Sequence, residues 1–187
     1  MKLVFLGAPG VGKGTQAKLF ATKAHLAHIS TGEMLRDAAA SGTELGRKAK
    51  SIMEQGQLVP DDVMVDVIRE RISKPDCKDG YILDGFPRTV EQAVALDKML
   101  RARGEKLSDV VLFEVSDGDL KQRLENRRGE EARADDSLTV QKKRIEVYLE
   151  KTKPLIEYYE PTSLLRHVDA SGSIEEVAAK LERVLRR

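Results

Sequence analysis

The sequence contains no tryptophan, and phenylalanine and tyrosine together make up only 4% of it. That scarcity removes the stacking platforms on which a single-strand nucleic acid binder depends. Cys77 is the only cysteine, so no disulfide framework is available, and it reads as an ordinary thiol. His25, His28 and His167 are the three histidines, and their spacing is not that of metal ligands, so no structural zinc site is expected. Charge of one sign is also missing: 32 Lys and Arg stand against 31 Asp and Glu, a formal net charge of +1. No whole-molecule field therefore favours nucleic acid or an acidic membrane, and any basic site has to be local. Apolar runs are short, and Met1-Lys2 leads straight into one of them. Neither a signal peptide nor a membrane span is expected, which points to a cytoplasmic protein.

What is present is one domain's length of chain, 187 residues, in which apolar and amphipathic segments alternate. Runs rich in β-branched residues at Leu3 to Leu6, Tyr81 to Leu83, Val110 to Val115 and Leu164 to Val168, with a shorter one at His28-Ile29, read as buried strands. Helical patterns lie at Gly14 to Ala24, Glu33 to Ala40, Glu44 to Glu54, Asp62 to Ile72, Val90 to Arg103, Asp119 to Arg127, Val140 to Tyr159 and Ile174 to Leu185. The last opens on Ser173-Ile174-Glu175-Glu176, which has capping-box spacing. The alternation predicts an α/β fold, a five-stranded parallel sheet with helices on both faces and ligands at the carboxyl ends of the strands. Two segments depart from it and read as excursions: two helical patterns without a strand from Ser30 to Val59, and a short polar stretch of mixed charge from Asn126 to Asp136.

The densest chemistry follows the first strand, where Gly7-Ala8-Pro9-Gly10-Val11-Gly12-Lys13-Gly14-Thr15 precedes a helix. Glycines let successive amides turn toward one anion, Lys13 adds a mobile positive charge, and the helix start adds the positive end of its dipole. The spacing Gly7-x4-Gly12-Lys13 fits a phosphate-binding loop, although Gly14 stands where Ser or Thr is usual and Thr15 comes one place later. A nucleotide polyphosphate is the expected occupant. The third strand ends in Asp84-Gly85-Phe86-Pro87-Arg88-Thr89, a carboxylate and an arginine placed where strands deliver ligands. Asp84 suits the waters of a magnesium ion, and equally a turn cap. Arg88 suits a phosphate, and equally a structural ion pair. Arg123 and Arg127 lie four apart on one helical face, with Arg133 and Arg144 beyond; the same pattern also fits a solvated surface of mixed charge.

GAPGVGKGT at Gly7 to Thr15, STGEMLR at Ser30 to Arg36, QLVPD at Gln57 to Asp61, DGFPRT at Asp84 to Thr89 and Arg133-Ala134-Asp135-Asp136, in this order, resemble the adenylate kinase family nearly end to end. The resemblance explains Gly14, because the family's loop reads Gly-Lys-Gly-Thr. It implies a P-loop core of residues 1–29, 60–125 and 137–187, a nucleoside monophosphate excursion at 30–59 and a short lid at 126–136 that lacks the cysteines of the long, zinc-bearing lid. The implied reaction is magnesium-dependent phosphoryl transfer from ATP to AMP, giving two ADP. By the same resemblance, the backbone of Gly10, Val11, Gly12, Lys13, Gly14 and Thr15, the Lys13 ammonium, Arg123, Arg127 and backbone near Gly172 face ATP. Thr15 and Asp84 surround magnesium, largely through water. Arg36 and Arg88 hold the AMP phosphate, and Gly85, Phe86 and Pro87 line that side. Thr31, the backbone of Gln57, Leu58 and Val59, and the Gln92 amide meet its base and ribose. Arg133 and Arg144 reach between the phosphates, which makes Lys13, Arg88, Arg127, Arg133 and Arg144 the implied catalytic set. Arg127 is preferred to its neighbour Arg128 because it shares a face with Arg123. A transfer between phosphates needs no general base, which agrees with the absence of a nucleophile and base pair.

Two other readings remain open. A UMP or CMP kinase shares the loop, the Arg88 motif and the lid, and Thr31 and Gln92 stand against it. A nucleotide-binding regulatory module would keep the loop but has no use for Arg88, Arg133 and Arg144 together. The expected partners are ATP, AMP and ADP, with no nucleic acid and no membrane, and the absence of a coiled-coil heptad makes a monomer the expectation.

Overall fold

A computed structural model describes residues 1–130 and 137–186, apart from the side chains of Leu45 and of residues 127–130. Its strands are β1 (Lys2–Leu6), β2 (Ala27–Ser30), β3 (Tyr81–Asp84), β4 (Asp109–Glu114) and β5 (Leu165–Asp169). Its helices are α1 (Lys13–Ala24), α2 (Thr31–Ala40), α3 (Glu44–Glu54), α4 (Asp61–Arg71), α5 (Val90–Ala102), α6 (Asp117–Glu130), α7 (Leu138–Val147), α8 (Pro154–Tyr159) and α9 (Ile174–Leu185).

The strands form one sheet in the order β2-β3-β1-β4-β5, every pair parallel. Because β1 sits between β3 and β4, the chain leaves it toward one edge of the sheet first and the other later. The crevice at its carboxyl end is therefore the topological switch point of the fold. Side chains alternate between two cores. Leu3, Phe5, Ile82, Val111 and Phe113 pack with Ala17 and Ala21 of α1 and Val177 and Leu181 of α9. Val4, Leu6, Leu83, Val110 and Leu112 pack with Leu35 of α2, Ile68 of α4, Leu96 of α5 and Tyr159 of α8. Burial on both faces is why these strands read as unbroken apolar runs, and each fully buried large side chain contributes roughly 1.5–3 kcal/mol. Phe5 and Phe113 add an edge-to-face contact at 5.0 Å.

The expected α/β architecture is the one observed, and the capping box at Ser173 is formed, with Glu176 N–H donating to Ser173 Oγ and Ser173 N–H to Glu176 Oε2. Two helices differ from expectation. The single helix expected from Val140 to Tyr159 is divided by a π turn at Tyr148–Thr152, in which Lys153 N–H reaches back to Tyr148 O at 2.8 Å. Pro154 has no N–H to donate to the carbonyl four residues back, and its ring pushes that carbonyl aside, so the wider turn accommodates the chain. The helix α6 runs on to Glu130, through residues that the expected lid shared, because one glycine among Arg and Glu residues is too weak a breaker to stop it. The rest of that stretch, 131–136, lies outside the described residues.

Candidate active site

A cavity of about 650 Å³ opens over the carboxyl ends of β1 and β3, between the loop before α1, the α2–α3 pair and α7. On its first side lies the glycine-rich loop. Gly12 is the N-cap of α1 with φ 101°, a left-handed conformation that a β-carbon disfavours, and it turns the chain into the helix, whose first turn borders the opening. Lys13 folds back on the loop, donating from Nζ to Gly7 O at 2.6 Å and Ala8 O at 3.0 Å. The Val11 N–H donates to Ala8 O at 3.2 Å, so this amide is used within the loop itself, and its side chain is core. Gly10, Gly12, Lys13, Gly14 and Thr15 line the cavity.

On the other side stand Arg36 from α2 and Arg88 from the turn after β3. Arg88 Nε donates to Gly85 O at 2.9 Å. Burial pushes the Arg88 pKa down from the ordinary guanidinium value, Asp84 opposes that shift, and the neighbouring Arg36 adds to it. Two guanidinium groups that each raise the cost of the other's charge, facing one cavity, suit an anion between them. Asp84 lies between the two sides, its Oδ2 3.4 Å from where a β-carbon on Gly14 would sit. Burial raises its pKa, but the His28 ring, whose Nε2 is 3.5 Å from Oδ2, together with Lys13 and Arg88 outweighs it and holds the carboxylate below its usual value.

Thr31, the first residue of α2, donates to Gly85 O at 2.9 Å, which ties the α2–α3 excursion to the turn carrying Arg88. Gln57, Leu58 and Val59 edge the cavity between α3 and α4, and Gln92 closes its floor with only 2% of its surface exposed. Both ends of the Gln92 amide are engaged: Oε1 accepts from Arg88 N–H at 2.7 Å, and Nε2 donates to Asp61 Oδ1 at 2.7 Å. Arg144 enters from α7.

Of the remaining candidates, Gly85 and Pro87 line the cavity, whereas Phe86 turns into the core at 1% exposure, so its side chain supports the turn. Arg123 does not line it. Its Nη1 donates to Val11 O at 3.0 Å and its Nη2 to Ala170 O at 2.7 Å, joining the loop before α1 to the segment after β5. Gly172 faces a separate shallow concavity beside α9, together with Ser171, Lys180 and Arg183. Arg133 and the Arg127 side chain lie outside the described residues. Three residues not singled out from sequence complete the arrangement: His28 beneath Asp84, Asp61 against Gln92, and Thr152, whose hydroxyl donates to Arg88 O at 2.9 Å. Asp61 belongs to the QLVPD motif and so had a signal; Thr152 had none, because only the π turn brings it to the site.

Among the described residues no group of three or more His, Cys, Asp or Glu is placed to hold a metal ion. Thr15 and Asp84 offer two oxygens that suit magnesium, a cation whose shell is otherwise filled by water and phosphate. Among the described residues no helix is long and apolar enough to cross a membrane.

Comparison with known proteins identifies the family. The family model described as adenylate kinase matches residues 5–164. An adenylate kinase of Parvibaculum lavamentivorans is 52% identical over 188 residues, covering 99% of this chain and 92% of the relative. Adenylate kinases of Rhizobium meliloti and Brucella melitensis are each 45% identical over 191 residues, covering 99% of this chain and 100% and 98% of those proteins. A phosphate cradle facing a pair of arginines across one carboxylate, in a chain this similar throughout to such enzymes, has one consistent reading: the chain belongs to the adenylate kinase family and transfers a phosphoryl group between ATP and AMP.

Proposed function

We propose that ATP lies with its phosphates in the glycine-rich cradle and AMP with its phosphate between Arg36 and Arg88, so that the two meet over Asp84. The observation that carries this reading is the presence of both anion-binding arrangements in one cavity, on opposite sides of a charged carboxylate. Lys13 exchanges its bonds to Gly7 O and Ala8 O for a phosphate oxygen of ATP, and Thr15 accompanies it from the first turn of α1. Thr15 and Asp84 would hold magnesium, which would supply charge neutralisation for the transferring group. Arg88 and Arg144, with Arg127 and Arg133, compensate the charge spread over that group in the transition state. The amides of Gly10 and Gly12 and the tethers of Arg123 shape the ATP side. The segment near Gly172 meets the ATP adenine, and Thr31, the 57–59 backbone and Gln92 meet AMP.

An AMP phosphate oxygen is already ionised near neutral pH, so alignment and electrostatics do the work and no base is required. Water is the competing acceptor, and closing the 30–59 excursion and the 126–136 lid over the nucleotides excludes it. The core is residues 1–29, 60–125 and 137–187, and the protein works as a cytoplasmic monomer. The test is an assay with magnesium-ATP against AMP, UMP, CMP and no acceptor, following ADP and free phosphate together. Turnover confined to AMP without free phosphate supports the reading; preference for UMP or CMP, or steady release of phosphate, defeats it.

A further inference from the structure

Asp61 opens α4 directly after Val59-Pro60, and both of its oxygens are used across the gap to α5. Oδ1 accepts from Gln92 Nε2 at 2.7 Å, and Oδ2 accepts from Thr89 Oγ1 at 3.0 Å. Thr89 in turn caps α5, its Oγ1 accepting from Gln92 N–H at 3.2 Å. The other end of the Gln92 amide accepts the Arg88 N–H at 2.7 Å. These contacts settle the orientation of the amide by chemistry alone. A carboxylate only accepts and a peptide N–H only donates, so Nε2 has to face Asp61 and Oε1 has to face Arg88. The reverse orientation would set oxygen against oxygen at one end and N–H against N–H at the other.

A primary amide held this way retains one N–H and one lone pair, in an order it cannot reverse. A 6-amino purine presents an N–H donor at position 6 beside an acceptor at N1, and a 6-oxo purine presents an acceptor at position 6 beside an N–H at N1. A fixed amide pairs with only one of these edges. We propose that Asp61 is a specificity-determining positioning residue, whose carboxylate locks the Gln92 amide in the orientation that accepts a 6-amino purine monophosphate and rejects the 6-oxo kind. The inference rests on the reading above that Gln92 meets the base of the acceptor nucleotide. Asp61 itself touches neither nucleotide and acts through Gln92.

The test compares kcat/KM for AMP and for IMP, whose base is a 6-oxo purine, in the wild type and in the Asp61→Asn, Asp61→Ser and Gln92→Ala variants. Asp61→Ser, too short to reach Gln92, narrows the AMP to IMP ratio by about tenfold or more, the worth of one charge-assisted hydrogen bond, whereas Asp61→Asn, whose Oδ1 still accepts from Gln92 Nε2, keeps most of it; both leave the KM for ATP unchanged. A merely structural role would lower both rates together and keep the ratio. An unchanged ratio in Asp61→Ser, with a narrowed one in Gln92→Ala, overturns the proposal and leaves the reading of Gln92 standing. An unchanged ratio in Gln92→Ala removes that reading and the proposal with it. Should neither Asp61 variant fold, side-chain amide exchange in the wild type decides: a slowly exchanging Gln92 Nε2 proton agrees with the lock, and fast exchange at both protons overturns it.

Discussion

Arg88 is held by its main chain, and the proposed function gives the work to its side chain. Gln92 accepts from its N–H and Thr152 donates to its carbonyl, so truncating the guanidinium leaves the turn anchored. In Arg88→Ala the loss should therefore fall on the acceptor phosphate. We expect kcat/KM for AMP to drop about 100-fold, the range of a charge-assisted contact, while the KM for ATP changes little. Steady-state kinetics with each nucleotide varied in turn check this, and an equal rise in both KM values would show that the turn itself had collapsed. Arg123 presents the opposite case. Its guanidinium is spent on two carbonyls, of Val11 and Ala170, so Arg123→Ala should disturb the cradle through the backbone. The KM for ATP should rise about tenfold with AMP affinity retained, the cost of two buried acceptors losing their donors being about 1–3 kcal/mol. Arg123→Lys should recover only part, because an ammonium has no planar fork to span both oxygens.

At the scale of elements, spacing made the strands and the glycine-rich loop legible, because burial on both faces leaves an apolar run and a cradle leaves glycines. The π turn was not legible: its cause, Pro154, was visible, but helical periodicity on either side reads the same whether the turn is wide or regular. Neither Asp61 nor Thr152 was singled out, but the first stands in a motif that could have flagged it, whereas the second acquires its role only through the path of the backbone. The α2–α3 pair depends on a close approach that sequence spacing does not reveal. A β-carbon on Gly46 would lie 2.0 Å from Ala38 O, well inside contact distance. Gly46→Ala should therefore force the two helices apart and destabilise the protein by about 2–4 kcal/mol, as a lowered urea midpoint would show; an unchanged midpoint would mean the pair separates freely. The packing of α8 on α5 carries a pH dependence. Tyr158 donates to Asp97 Oδ2 at 2.7 Å, and burial, with Asp97 beside it, pushes its pKa up to about 12. A folded-state pKa above the unfolded one contributes stability that is complete below about pH 10 and is lost as pH rises toward 12. Thermal melts of the wild type should fall through that window, and Tyr158→Phe, less stable at neutral pH by about 1 kcal/mol, should fall less steeply.

For the molecule as a whole, the placement of the site gives the proposed closure its physical reason. The cradle and Asp84 belong to the sheet and are held by two cores, whereas Arg36 and the 57–59 edge belong to the α2–α3 excursion, which meets the core through Thr31, Leu35 and Val59. On the proposed function, charges that converge on one phosphoryl group are thus divided between the sheet and the α2–α3 pair. On that proposal, either nucleotide alone would neutralise one side, and only both together would supply the anions for Arg36, Arg88 and Lys13. A bisubstrate nucleotide that joins two adenosines through a phosphate chain should therefore compact the protein more than ATP or AMP alone. Small-angle scattering should report a smaller radius of gyration, and hydrogen exchange should slow in 30–59 and 126–136 while β1, β3 and β4, protected already, change little. Scattering and exchange that respond equally to AMP alone would place closure under the control of one phosphate, and water exclusion would then have to rest on the cavity as it stands.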